Sequence, residues 1–175
     1  MSMCESIIDY LYENFPFYER QGKDAYKPGL ENSYALDKYL NYPHKKYKTI
    51  HVAGTNGKGS VSSMLASIFQ QHGYVTGLYT SPHVVEFGER IKVNGKNVPE
   101  FFVKDFVEKY GDFVKSLKPS FFEVVTAIAF QYFKEQEVDI AIIEVGLGGR
   151  FDCTNVIIPE LTVITNISYD HSDIL

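Results

Sequence analysis

The chain has no tryptophan, only two cysteines in 175 residues, and no apolar stretch approaching the length of a membrane span. Each shortage excludes something. Cys4 and Cys153 provide neither a disulfide framework nor a metal-ligand spacing; they read as free thiols and favour a reducing compartment. Basic residues are also in short supply. With 17 Lys and Arg against 22 Asp and Glu, the net charge is −5, which argues against non-specific nucleic-acid binding. No basic patch followed by an apolar run opens the chain, so no signal peptide is expected and a cytoplasmic protein is. In that setting the glycosylation pattern at Asn166-Ile167-Ser168 is a chance match. Internal repeats and low-complexity segments are lacking too. Residues 170–175 lack the polar fraying usual at a terminus, so the chain is expected to be part of a longer one. What it does have is apolar material: 45% hydrophobic residues, with 13 Tyr and 13 Phe, enough for a real core.

The apolar periodicity alternates between helix and strand. Residues 3–15 carry the helical stripe Ile7, Ile8, Leu11 and Phe15, which Pro16 stops. Residues 16–30 read as a loop. Asn32-Ser33 is expected to cap a helix running to Tyr42, ended by Pro43. A short buried strand spans 49–53. A helix over 59–72 places Val61, Leu65, Ile68 and Phe69 on one face, and Gly73 closes it. A strand follows at 74–80, then a β-hairpin over 91–98 on the turn Asn94-Gly95. Helices are expected over 99–117 and 121–136, the second with Val125, Ile128, Ala129 and Phe133 inward. Near-continuous apolar strands complete the pattern at 138–145 and 161–167. The expected fold is therefore α/β: a mainly parallel sheet flanked by helices, with a small hairpin insertion.

The run Ile50-His51-Val52-Ala53-Gly54-Thr55-Asn56-Gly57-Lys58-Gly59-Ser60 carries the chemistry. An apolar strand breaks into a glycine-rich loop and then opens a helix. Glycines let the backbone turn with positive φ and approach a ligand closely. Free N–H groups at a helix N-terminus attract anions, and Lys58 adds a point charge suited to a phosphoryl oxygen. These are the parts of a nucleotide-triphosphate cradle. The match to the pattern G-x-x-x-x-G-K-[ST] is imperfect. Val52 stands where the first glycine should, and Gly59 where the metal-binding hydroxyl should, with Ser60 one place later. The hydroxyl must then come from elsewhere.

Ligands of parallel sheets gather beyond the carboxyl ends of the strands. The second strand delivers Ser81-Pro82-His83, the third Glu144 and then Gly148-Gly149-Arg150, and the fourth Asn166 and then Asp170-His171. A triphosphate requires Mg²⁺, which takes hard oxygen ligands. Glu144 closes an apolar strand, where a carboxylate is costly without a partner. A metal supplies one; the alternative is a salt bridge to Arg150 or a lysine. Arg90 has the competing reading of an ion pair with Glu89 or Glu86, Ser81 that of a turn former, His171 that of a structural histidine, and Asn155 that of a helix cap.

His51 to Ser60, Ser81-Pro82-His83, Glu89-Arg90-Ile91, Phe122-Glu123, Glu144 to Arg150, Asp152-Cys153-Thr154-Asn155 and Asp170-His171 occur in that order. In this the chain closely resembles the N-terminal part of the folylpolyglutamate synthase family, including its bifunctional dihydrofolate synthase form, within the Mur-ligase superfamily. Cys153 is a departure, since the family usually has a small residue such as Ala there. The resemblance implies that residues 1–175 are the N-terminal portion of an ATP-binding domain. The remainder of that domain and a C-terminal glutamate-ligase domain would lie beyond Leu175, and this stretch alone is expected to be inactive. It implies that Gly54, Thr55, Asn56, Gly57, Lys58, Gly59 and Ser60 hold the ATP phosphates. Ser81 and Glu144 would hold one Mg²⁺ and His171 a second, and the segment from Ser81 through Pro82 and His83 to Arg90 would contact the folate or pteroate. Lys58, Glu144 and His171 are thereby the catalytic candidates. The implied reaction has two steps: a substrate carboxylate takes the γ-phosphoryl group of ATP, and the amine of L-glutamate displaces phosphate from the acyl phosphate. Two alternatives are a ligase adding an amino acid to a UDP-muramyl peptide, which predicts Ser or Thr directly after Lys58, and a nucleotide-binding module without ligase chemistry.

Overall fold

A computed structural model describes residues 6–16 and 29–170. The elements run α1 (Ile7–Asn14), α2 (Glu31–Tyr39), a 3₁₀ turn (Pro43–Lys46), β1 (Lys48–Ala53), α3 (Lys58–Gln71), β2 (Thr76–Tyr79), a second 3₁₀ turn (Phe87–Arg90), β3 (Ile91–Val93), β4 (Lys96–Asn97), α4 (Glu100–Leu117), α5 (Phe121–Glu135), β5 (Ile140–Glu144) and β6 (Leu161–Ile164). The six strands form one sheet in the order β4-β3-β2-β5-β1-β6. The strands β2, β5, β1 and β6 are mutually parallel, as the alternating pattern requires. The expected hairpin is present and joins the sheet. Its strand β3 pairs antiparallel with β2 and extends the sheet, because the turn residues Asn94 and Gly95 both take positive φ and fold β4 back onto β3.

Side-chain alternation sorts the core onto two faces. On β5, Ile140 and Ile142 point to the face covered by α3, with Ile50 and Val52 of β1, Leu78 of β2 and Ala66. Ala141 and Ile143 point to the opposite face, packed by α1, α2, α4 and α5. The helix α5 is buried nearly all round, from Phe121 to Phe133, so its apolar residues exceed the single stripe expected for it. It packs so closely that a Cβ on Gly77 of β2 would lie 2.9 Å from the Phe133 ring. A reciprocal capping box fixes its start: the Ser120 hydroxyl accepts the Glu123 N–H while Glu123 accepts the Ser120 N–H.

Three details differ from expectation. The second helix begins at Glu31 after Leu30, with no side-chain cap, so Asn32 and Ser33 lie inside its first turn and Ser33 is buried. That helix stops at Tyr39, since Asn41 and Tyr42 take left-handed φ before Pro43. On α3, Ile68 is 53% exposed while Ser62 and Ala66 are buried, so the helix sits rotated toward its small residues. Small side chains let the helix axis approach the sheet.

Candidate active site at the carboxyl ends of the strands

The same alternation places the site. Residues 140, 142 and 144 share a face of β5, so the face that packs Ile140 and Ile142 against α3 also turns Glu144 toward the N-terminus of that helix. A Cβ on Gly59 would stand 3.6 and 3.7 Å from the two Glu144 oxygens. Glu144 is only 3% exposed. Its Oε2 accepts the Ser81 N–H at 3.0 Å, which brings the end of β2 against the end of β5. Burial raises the Glu144 pKa, and the Ser81 N–H and the Lys58 charge oppose that shift. Glu144 forms no ion pair with Arg150 or a lysine among the described residues, so the salt-bridge reading fails.

The loop between β1 and α3 turns on two left-handed glycines. Gly57, with φ +78°, is the N-cap of α3, so the first-turn N–H groups point out of the helix with no intrahelical carbonyl to meet. Gly54 has φ +138°, and a Cβ there would run into the Thr165 hydroxyl. Lys58 Nζ lies over the loop, donating to the carbonyls of Gly54 at 2.8 Å and Thr55 at 3.2 Å. The chain beyond β6 grips the same loop. Asn166 Oδ1 accepts the Asn56 N–H at 2.9 Å, Thr165 donates to the Asn56 carbonyl at 2.6 Å, and the Thr55 N–H meets the Asn166 carbonyl at 3.0 Å. Thr55 Oγ1 and the backbone of Ser168 exchange two more bonds. Sequence reasoning named Asn166 only as a polar strand end; its part in shaping the loop, and that of Thr165, was missed. A threonine and an asparagine directly after β6, on the strand neighbouring β1, were the available signal.

The segment after β2 closes on itself. The Thr80 N–H meets the Arg90 carbonyl at 3.0 Å, and the Glu89 carboxylate accepts the N–H groups of Val84, Val85 and Glu86. The Ser81–Pro82 peptide is cis, and Pro82 is exposed. The carboxylates of Glu89 and Glu86 are engaged elsewhere, on those N–H groups and on the Asn97 side chain, and neither is the partner of Arg90. Arg90 is 1% exposed, and its Nε donates to Nδ1 of His83 at 2.7 Å. Arg90 thus reaches the site through His83.

A further buried group was not anticipated. His51 of β1 points away from α3 and meets the Thr154 hydroxyl at 2.8 Å, and that hydroxyl donates to Asp152 at 2.5 Å. Asp152 also accepts the Leu147 N–H, so it ties down the turn after Glu144. Burial lowers the His51 pKa to about 4 and raises that of Asp152. Asn155 Nδ2 donates to the Arg150 carbonyl within the same turn rather than capping a helix. Cys153 is a buried free thiol beside the Thr126 hydroxyl, with its pKa raised by burial. Cys4 and His171 lie outside the described residues. Thus the structure brings together the loop 54–60, Ser81 and Glu144, with His83 and Arg90 behind Ser81.

Comparison with known proteins gives the family of the chain. The Mur ligase middle domain model matches residues 52–175. The chain belongs to the Mur ligase middle-domain family. The chain is 46% identical over 160 residues to the dihydrofolate synthase/folylpolyglutamate synthase of Bacillus subtilis, covering 87% of this chain and 37% of that protein. Among solved structures, the folylpolyglutamate synthase of Thermotoga maritima superposes with a TM-score of 0.84 at 43% identity, over 93% of this chain and 38% of that one. Escherichia coli FolC in complex with DHPP and ADP gives 0.84 at 34%, over 96% and 40%. The chain therefore spans about two-fifths of the length of these relatives. Among its described residues no helix is long and apolar enough to cross a membrane.

Proposed function

We propose that the protein containing this domain is an ATP-dependent ligase that adds L-glutamate to tetrahydrofolate, and to dihydropteroate where it is bifunctional. The observation that carries the reading is the meeting of a glycine-rich, lysine-bearing loop with a buried carboxylate at the ends of neighbouring parallel strands. Support comes from relatives bearing both synthase names and from one whose structure holds ADP. Residues 1–175 would be the N-terminal portion of the ATP-binding domain. The glutamate-ligase domain would lie beyond it, and the reaction would take place in the cytoplasm, where a buried free thiol such as Cys153 stays reduced.

In this reading the N–H groups of residues 57–60 and the Lys58 ammonium receive the triphosphate. Lys58 is already held over the loop by two carbonyls, so little reorganisation is needed to meet an anion. Magnesium fits the donor set. It is held by one or two carboxylates together with substrate phosphates, and among the described residues no separate cluster of three or more His, Cys, Asp or Glu offers a protein cage. Glu144 and Ser81 would hold it, and His171 would serve a second ion. Bound there, the metal neutralises charge on the phosphoryl oxygens. Gly59 leaves the space before the carboxylate open, where a Ser or Thr would place its Cβ in contact with both oxygens. Loop, lysine and carboxylate then align a substrate carboxylate with the γ-phosphorus. ADP leaves, and the glutamate amine displaces phosphate from the acyl phosphate to form the amide.

The test is a paired assay of the complete enzyme with tetrahydrofolate and with dihydropteroate, each with ATP, Mg²⁺ and L-glutamate. Glutamate incorporation with at least one acceptor is expected. Turnover of neither would overturn the proposal, and phosphate release with a UDP-muramyl peptide would replace it.

A further inference from the structure

Arg90 is the feature that neither the loop nor the carboxylate uses. A guanidinium at 1% exposure is expensive to bury unless well partnered. Its ring neighbour Phe121 lies 5.6 Å from the guanidinium carbon, a favourable but modest contact. The informative partner is His83. Arginine has only donors. Its Nε–H therefore fixes Nδ1 of His83 as an acceptor at 2.7 Å and leaves the ring proton on Nε2, which faces the Tyr12 hydroxyl of α1 at 3.5 Å. His83 is two residues from Ser81, whose N–H is given to Glu144. Both ends of this turn are anchored on Arg90, through its carbonyl at Thr80 and its side chain at His83.

We propose that Arg90 is a positioning residue that acts through His83, holding the Nε2–H form of the ring and thereby setting the Ser81–Pro82 turn against Glu144. The role is directional: what the turn requires of residue 83 is an acceptor at the Nδ1 place. Partners that orient a metal-holding group typically change metal affinity 10- to 100-fold when removed. The inference rests on the proposed site in one respect, that Ser81 and Glu144 hold Mg²⁺, so its experiment has an arm free of activity.

Nitrogen-15 NMR of the histidine-labelled protein, with His83 assigned from its own substitution, reads the tautomer directly. An unprotonated Nδ1 and a protonated Nε2 are expected, and Arg90→Met should abolish that preference. A protonated Nδ1 in the unsubstituted protein overturns the inference, whether or not the enzyme is a ligase and whether or not Arg90→Met folds. The second arm measures the Mg²⁺ concentration for half-maximal turnover in the complete enzyme. His83→Asn keeps an oxygen near the Nδ1 place and should stay near the unsubstituted value. His83→Gln and His83→Ala should each raise it by about tenfold. Asparagine behaving like alanine overturns the positioning role, since a merely space-filling histidine would not distinguish asparagine from glutamine.

Discussion

Replacing Gly54 by alanine tests the loop where its geometry is tightest. At φ +138° any L side chain is strained, by about 1–3 kcal/mol. The new Cβ would also collide with the Thr165 hydroxyl and stand 3.1 Å from the backbone N and O of Asn166. Thr165 must then rotate away, and its 2.6 Å bond to the Asn56 carbonyl is lost, worth about 0.5–1.5 kcal/mol. The sum is roughly 2–4 kcal/mol, which for a domain of this size lowers Tm by about 5–15 °C. A double-mutant cycle with Thr165→Ala, followed by urea unfolding, separates the two contributions. The Thr165 part of the collision should vanish on the Thr165→Ala background, and the backbone strain and the Asn166 contact should remain. ATP affinity should fall with stability in the single Gly54→Ala variant, because the same displacement moves the N–H groups proposed to receive phosphate. A variant as stable as its parent with unchanged nucleotide affinity would show that neither the left-handed turn nor the Thr165 contact shapes the loop.

Three other outcomes are expected. Glu144→Gln should leave the Mg²⁺-free protein as stable or more so at neutral pH, while removing at least about a hundredfold of ligase activity. Burial raises the carboxyl's folded pKa above its unfolded value, so its contribution to stability is present below the ordinary carboxylate pKa and is lost as pH rises through the raised one. Urea midpoints against pH for the two proteins check the sign. His51 works in the opposite direction: with its folded pKa lowered from 6.5 to about 4, stability is full above pH 6.5 and is lost as pH falls from there toward 4, by at most about 3 kcal/mol. The loss should be smaller in His51→Gln, and equal slopes in both proteins would refute a neutral buried His51. Lys58→Met should weaken ATP binding more than adenosine binding, measured calorimetrically, since the ammonium lies over the loop proposed to receive the phosphates.

The parallel sheet and the glycine-rich strand-to-helix loop were legible in the sequence because each has a local cause. Ile140 to Ile143 is apolar at every position, as a doubly covered strand must be, and Gly57-Lys58 sits between an apolar strand and a helical stripe. Glu144 stood out for the same reason, as an acid in an apolar run. What was not legible depends on register. That Thr165 and Asn166 meet Asn56 follows from β6 pairing with β1, and that Arg90 meets His83 follows from β3 turning antiparallel onto β2; no spacing along the chain carries either fact. The start of α2 was misplaced because Asn32 and Ser33 have the chemistry of caps, yet burial of Ser33 and Leu36 against α5 decided where the helix begins. His51 and Asp152 were visible as members of motifs, but their link runs through Thr154, which only the folded chain brings to β1.

The two flanks of the sheet are unequal. On one side it finishes in β4, a ribbon of two residues beginning with a lysine, which offers an incoming chain little to zip onto. On the other it finishes in β6, four residues long, with Leu161 and Ile164 more than half exposed and main-chain groups directed outward. Among the described residues, growth by strand addition is therefore one-sided: a further ribbon, whether from the same polypeptide or from a neighbour, has its berth beside β6, one strand away from the one that delivers the glycine-rich loop.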